Sequence, residues 1–151
     1  MVGLAVAGSG WHSAADAAGS QPIGVTVAVL SNSNCTFNGV GNISASIDVA
    51  ATSPILSAGY FTFRCIGGGP SPVTYAVTNN NGQHGSSPTA LALKNTTSSH
   101  TIGYSIGYTA AASVSKNTTH TTSLTATFLP TAFQDALPGT YTDTVVFTIN
   151  P

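Results

Sequence analysis

At 151 residues the chain has room for one domain with its own core. Only 5% of its residues are charged, against about a quarter in an average soluble domain, so Ser, Thr, Asn and Gly must wet the surface and little charge opposes self-association. Three cations, Arg64, Lys94 and Lys116, are too few to neutralise a row of phosphates or hold an anionic membrane, which makes nucleic acid and lipid headgroups poor partners.

Residues 1–20 read as a signal remnant or an N-terminal extension. Val2 to Ala7 is apolar and Ala15-Asp16-Ala17 resembles a small-residue cleavage site, yet no Lys or Arg precedes the apolar run. After the turn chemistry of Gly19-Ser20-Gln21-Pro22, Ile23, Val25, Val27 and Val29 alternate with Gly24, Thr26 and Ala28, the period of a strand. Ser31-Asn32-Ser33-Asn34 breaks that run before Cys35.

Asn42 to Ala50 is a second alternating piece, and Tyr60 to Cys65 is a short aromatic strand ended by Gly67-Gly68-Gly69-Pro70. Val73, Tyr75 and Val77 alternate up to Asn79-Asn80-Asn81-Gly82, an Asn-Gly turn that tolerates positive φ. Ala90 to Lys94, Ile102 to Tyr108 and Leu124 to Phe128 follow. Finally the Pro138-Gly139 turn launches Tyr141, Val145, Phe147 and Ile149 on one face, with Thr142, Thr144 and Thr148 on the other. Only a weak helical period, near Ala14 to Ala18, interrupts this pattern. Seven or eight short strands between Gly, Pro, Asn and Ser turns predict an all-β sandwich with antiparallel pairing.

Cys35 and Cys65 are the chain's two cysteines. In a Thr-, Asn- and Gly-rich background they read as a disulfide stabilising the fold by roughly 3–4 kcal/mol, the other reading being two separate buried thiols. No apolar run approaches the ~18 residues of a membrane span, so no direct membrane insertion is expected.

Gly103-Tyr104-Ser105-Ile106-Gly107 matches the nucleophile elbow Gly-x-Ser-x-Gly, whose chemistry needs a strand-to-helix turn followed by an acid and then a histidine. Here the motif sits inside an alternating run, and the last histidine, His120, precedes Asp135 and Asp143. No enzymatic activity is expected. His12, His84, His100 and His120 lack metal-ligand spacing and read as loop residues, and the four acids, including Asp16 and Asp48, show no pairing in sequence. Neither a metal nor a cofactor is expected. Asn34, Asn42, Asn95 and Asn117 each head an N-x-Ser or N-x-Thr triplet, a pattern that so Asn- and Thr-rich a chain produces by chance.

The order of these features is specific. An alternating Val/Thr strand runs to Cys35-Thr36, another strand ends at Cys65 before a Gly-rich turn, and Ser123-Leu124-Thr125-Ala126-Thr127-Phe128 precedes Leu137-Pro138-Gly139-Thr140-Tyr141-Thr142-Asp143-Thr144-Val145. From about residue 22 to the end this resembles the spore coat protein U-like family, which includes pilus subunits of the archaic chaperone/usher type.

The resemblance implies an incomplete immunoglobulin-like β-sandwich, its vacancy filled by a strand donated from a neighbouring subunit. Residues 1–20 would be the extension, 21–34 the donor strand and linker, and 35–151 the sandwich. Ile23, Val25, Val27 and Val29 would be the donor side chains, and Tyr141, Val145, Phe147 and Ile149 the acceptor groove. Implied partners are identical subunits in a homopolymer, with a periplasmic chaperone and an outer-membrane usher during assembly. The implied location is an extracellular, cell-surface pilus, exported through the periplasm and serving adhesion and biofilm formation.

Two features depart from the family pattern: about twenty residues precede the donor run, and Leu129 stands where a basic residue is common. Val2, Leu4 and Val6 also alternate and are a second candidate donor. Two other readings compete: a sugar-binding tip adhesin or coat lectin using Tyr60, Tyr75, Tyr104 or Tyr108, and a self-complete domain in which Ile23 to Leu30 pairs with its own C-terminal strand.

Overall fold

In the computed structural model, which describes residues 20–31, 34–67 and 71–151, the alternation becomes an all-β fold with a sandwich-like or barrel-like sheet. The strands are β1 (Ser20–Ser31), β2 (Cys35–Gly41), β3 (Ile43–Asp48), β4 (Ile55–Cys65) and β5 (Val73–Asn79). They continue with β6 (Leu91–Asn95), β7 (Thr101–Gly107), β8 (Ala111–Val114), β9 (Thr119–Phe128) and β10 (Tyr141–Asn150). The one helical turn among the described residues, α1 (Pro130–Phe133), starts at a proline, whose missing N–H costs a first helical turn nothing. The second candidate donor (Val2, Leu4, Val6), His12, Asp16 and the Gly68-Gly69-Pro70 turn lie outside the described residues.

The hydrogen-bonded path runs β2-β4-β9-β7-β6-β10-β1-β3, with β5 pairing to β10 and β8 to β5. Its two ends are halves of one strand broken at Asn42: β2 pairs antiparallel with β4, and β3 antiparallel with β1. The sheet thereby curls onto itself. Two side-chain bonds stitch the seam, Val27 N–H donating to Asn42 Oδ1 at 3.1 Å and Ser57 Oγ donating to the Ser44 carbonyl at 2.9 Å.

Alternation sends every second side chain inward, and the buried set is apolar apart from Gln21, Asn95, Thr122 and Asp143. Phe61 and Phe63 of β4 meet Phe147 of β10 and Tyr75 of β5 at ring separations of 5.6 and 4.9 Å. Tyr104 of β7 stacks on Phe128 of β9 at 5.4 Å. Gly103 to Gly107 lies wholly within β7, so Ser105 stands on extended strand.

Cys35 and Cys65 face each other across β2 and β4 and are joined as a disulfide. The bond ties an edge strand, hydrogen-bonded on one side, to its neighbour. β2 itself escapes the alternation pattern because its register shifts between Phe37 and Gly39, and a bulge there breaks the period of two. β8, Ala-Ala-Ser-Val, is too weakly apolar to register. His120, expected in a loop, lies in β9 with its ring 5.9 Å from that of Phe63 and Nε2 2.8 Å from the Ser115 carbonyl oxygen.

Antiparallel pairing fails at one place, where β1 runs parallel to β10. No hairpin joins these strands from opposite ends of the chain, so connectivity does not set their sense. Instead β1 is held antiparallel to β3 on its other side, and that fixes its direction beside β10.

Replacing both cysteines by alanine should lower unfolding stability by roughly 3–4 kcal/mol, the loop-closure value for this separation, read as a fall in urea midpoint at constant m-value. An unchanged midpoint would show that the edge strand is held without the bond.

Candidate functional site

β10 is flanked along its whole length. On one side it pairs with β1 from Ile23↔Tyr141 to Ser31↔Ile149. On the other, Tyr141 and Thr142 pair with β6, and Phe147 to Asn150 pair with β5. Asn80 fills the gap between them: its N–H donates to the Val146 carbonyl and its Oδ1 accepts from Val146 N–H, both at 3.0 Å.

Tyr141, Val145, Phe147 and Ile149 are fully buried on the core face of β10. Ile23, Val25 and Val27 are buried beside them, and Val29 is half-buried. All eight expected residues therefore meet in one joint, formed within a single chain. Within one chain, β1 reaches this place at the high effective concentration of a tethered segment, so the intramolecular pairing needs no neighbour. Burial of Ile23, Val25 and Val27 contributes about 1.5–3 kcal/mol each before conformational entropy is counted.

Polar side chains that the alternation did not flag hold the joint at its start and middle. Gln21, 5% exposed, accepts a 2.6 Å hydrogen bond from Gly139 N–H through its Oε1, fastening the beginning of β1 to the turn that launches β10. Gly139 has φ of 145°, a conformation that favours glycine, and a Cβ there would press on the Asn95 side chain at 2.6 Å. Asn95 is itself buried, and its Oδ1 accepts from the N–H groups of Thr97 and Ser98 at 2.9 and 3.1 Å. The Asn95 triplet is thus consumed by structure.

Asp143 is the second such residue. It sits on the core face of β10, opposite Val25 and 2% exposed. Its Oδ1 accepts from the N–H groups of Gln83 and Thr144, each at 2.8 Å, and its Oδ2 accepts from the Tyr104 hydroxyl at 2.8 Å. A buried carboxylate survives only when hydrogen-bonded in this way. Gly82, at φ of 69°, confirms the Asn-Gly turn and lets the loop approach closely, because a Cβ on it would strike the Asp143 carboxylate. One side chain thus ties β10 to β7 and to the loop after β5.

The tyrosines considered for sugar binding are mostly unavailable. Tyr75 and Tyr104 are 5% exposed, and the half-buried Tyr108 donates its hydroxyl to Asn79 Oδ1 at 2.7 Å, leaving Tyr60 exposed. Among the described residues, no group of three His, Cys, Asp or Glu is placed to hold a metal ion, and no helix is long and apolar enough to cross a membrane.

Burial, the hydrogen bond to Asp143 and the Asp143 charge, in that order, raise the Tyr104 phenol well above its ordinary pKa. In the unfolded chain the phenol ionises near pH 10, whereas in the folded chain it stays protonated. Stability is therefore unaffected below about pH 10 and falls above it, where only the unfolded state releases the proton. Tyr104→Phe should melt lower at pH 7, by the equivalent of about 1–2 kcal/mol for the lost bond, yet lose less stability than the parent between about pH 9.5 and 11.5. Parallel melting curves across that range would remove Tyr104 from the alkaline transition. No protein-family model and no curated protein matches the chain.

Proposed function

We propose that the chain is a structural subunit of a chaperone/usher-type pilus, an immunoglobulin-like sandwich that polymerises by exchanging β1 between neighbouring copies. The observation that carries this reading is the position of β1. It is the first strand among the described residues, inserted between β10 and β3 and separated in sequence from β2 by the three residues between Ser31 and Cys35. Its buried face is a simple alternation that the equivalent strand of another copy reproduces.

Removing β1 would open the core beside β10 and leave one row of its backbone groups unpaired. Strand addition satisfies both needs at once, main-chain bonds providing affinity and alternate side chains the register. A neighbour's β1 entering in the same sense would repeat the pairing with both β10 and β3. The scarcity of charge on the subunit fits close packing in a filament.

In this reading Ile23, Val25, Val27 and Val29 are donor residues, and Tyr141, Val145, Phe147 and Ile149 line the receiving groove. A periplasmic chaperone would cover the groove and an outer-membrane usher would release the filament to the cell surface, where it serves adhesion and biofilm formation. The disulfide is compatible with export to an oxidising compartment. Withdrawal of a buried strand is slow, so filaments of this kind persist by a kinetic barrier.

A chain beginning at Asn32 should be unable to hold its fold alone and should regain cooperative melting when a synthetic peptide of residues 20–31 is added. The same peptide carrying Val25→Asp and Val27→Asp should fail. Full cooperative stability of the truncated chain without peptide would overturn the proposal.

A further inference from the structure

We propose that the outer face of β6, β7 and β9 is a binding site for an uncharged polysaccharide chain. A groove of about 490 Å³ lies there, on the side of the sheet away from the core. Its floor includes Ser105, Thr127 and Gly103, and its walls carry Ser86 and Thr89 on one side and Thr131 on the other. None of the side chains lining it is an acid, a lysine or an arginine.

The groove is built and rigid. The loop forming one wall is tied down by Gln83 N–H to Asp143 at 2.8 Å, by Asn79 Nδ2 to the Pro88 carbonyl at 2.9 Å, and by Ser86 N–H to the Ala90 carbonyl at 2.9 Å. The opposite wall is α1, whose Ala132 packs 4.0 Å from the space above Gly103. A wall fixed in advance costs a ligand no ordering entropy.

At Thr127 the groove runs out onto the surface of β9, where Thr125 and Ser123 also point outward. Outward residues on one strand repeat every ~7 Å, so these hydroxyls form a row spanning roughly 14 Å, the length of a few linked sugar rings. At the far end Tyr60 stands opposite Ser123 and is 46% exposed. Its ring lies against Gly41 of β2, where a Cβ would collide with it, and so presents a face to solvent.

The chemistry selects the occupant. Hydroxyls that both donate and accept, set among apolar side chains such as Leu129 and Ala132 and followed by a flat aromatic face, fit the polar edges and apolar faces of sugar rings. With no acid, lysine or arginine in its lining and His84 its one imidazole, the groove offers no row of counter-charges to a polyanionic or polycationic chain. The site lies on a single subunit and does not depend on strand exchange.

Calorimetric titration of the purified full chain with cellohexaose, mannohexaose and dextran, and with polygalacturonate as the charged counterpart, tests the assignment. We expect saturable binding to at least one uncharged glycan and none to polygalacturonate. Tyr60→Ala should weaken that binding about threefold to tenfold, and Ser105→Leu, which fills the groove, by at least about tenfold. Melting temperature should be unchanged in both variants, because neither side chain faces the core. Thr131→Leu, on the helical turn, replaces Ser105→Leu if that variant does not fold. No saturable binding to any of the three uncharged glycans, preference for polygalacturonate, or full affinity in both variants would overturn the assignment.

Discussion

Everything in this fold leans on β10 having a strand on each side. Its core face carries Tyr141, Asp143, Val145, Phe147 and Ile149, all buried. On the β5/β6 side the chain supplies two short strands and a bridging asparagine, all within one continuous stretch of sequence. On the other side it supplies β1, from the opposite end of the described chain. Without that strand the core opens beside β10 and its backbone loses a ladder.

In the proposed function, the strand in this position comes from another copy of the same sequence. In the exchange proposed above, the contacts that β1 makes within one chain, Ile23, Val25 and Val27 against the core and Gln21 against Gly139, would be repeated by the strand of a neighbour. On that proposal, the choice between a closed monomer and a linked chain of subunits would be set by effective concentration and by the barrier to withdrawal. Low surface charge removes one force that would keep copies apart. The groove on β6, β7 and β9 lies on the outer face of the sheet and leaves the joint unobstructed.

Much of this was legible in the sequence because β-sheets of this kind are written in a period of two. The alternating faces of β1, β7 and β10 point as the residues say, and the cysteines on β2 and β4 are bonded. What escaped was whatever period two does not encode. The bulge in β2 hid that strand, and the parallel sense of β1 follows from β3 rather than from its own residues; that β1 pairs with β10 of its own chain was one of the competing sequence readings, which the residues alone could not separate from donation. The polar fastenings, Gln21, Asn42 and Asp143, break the apolar alternation or stand outside it, so they resemble loop residues until the fold supplies their partners. The groove is built by a loop and a helical turn that meet only in three dimensions.

The central claim is that the β1–β10 joint forms between copies when the protein assembles. Solid-state NMR on filaments grown from an equal mixture of chains labelled with 13C only and chains labelled with 15N only addresses it directly. The account predicts contacts between Val27 of one labelled population and Val145 of the other. Contacts between these residues found solely within one chain would contradict it.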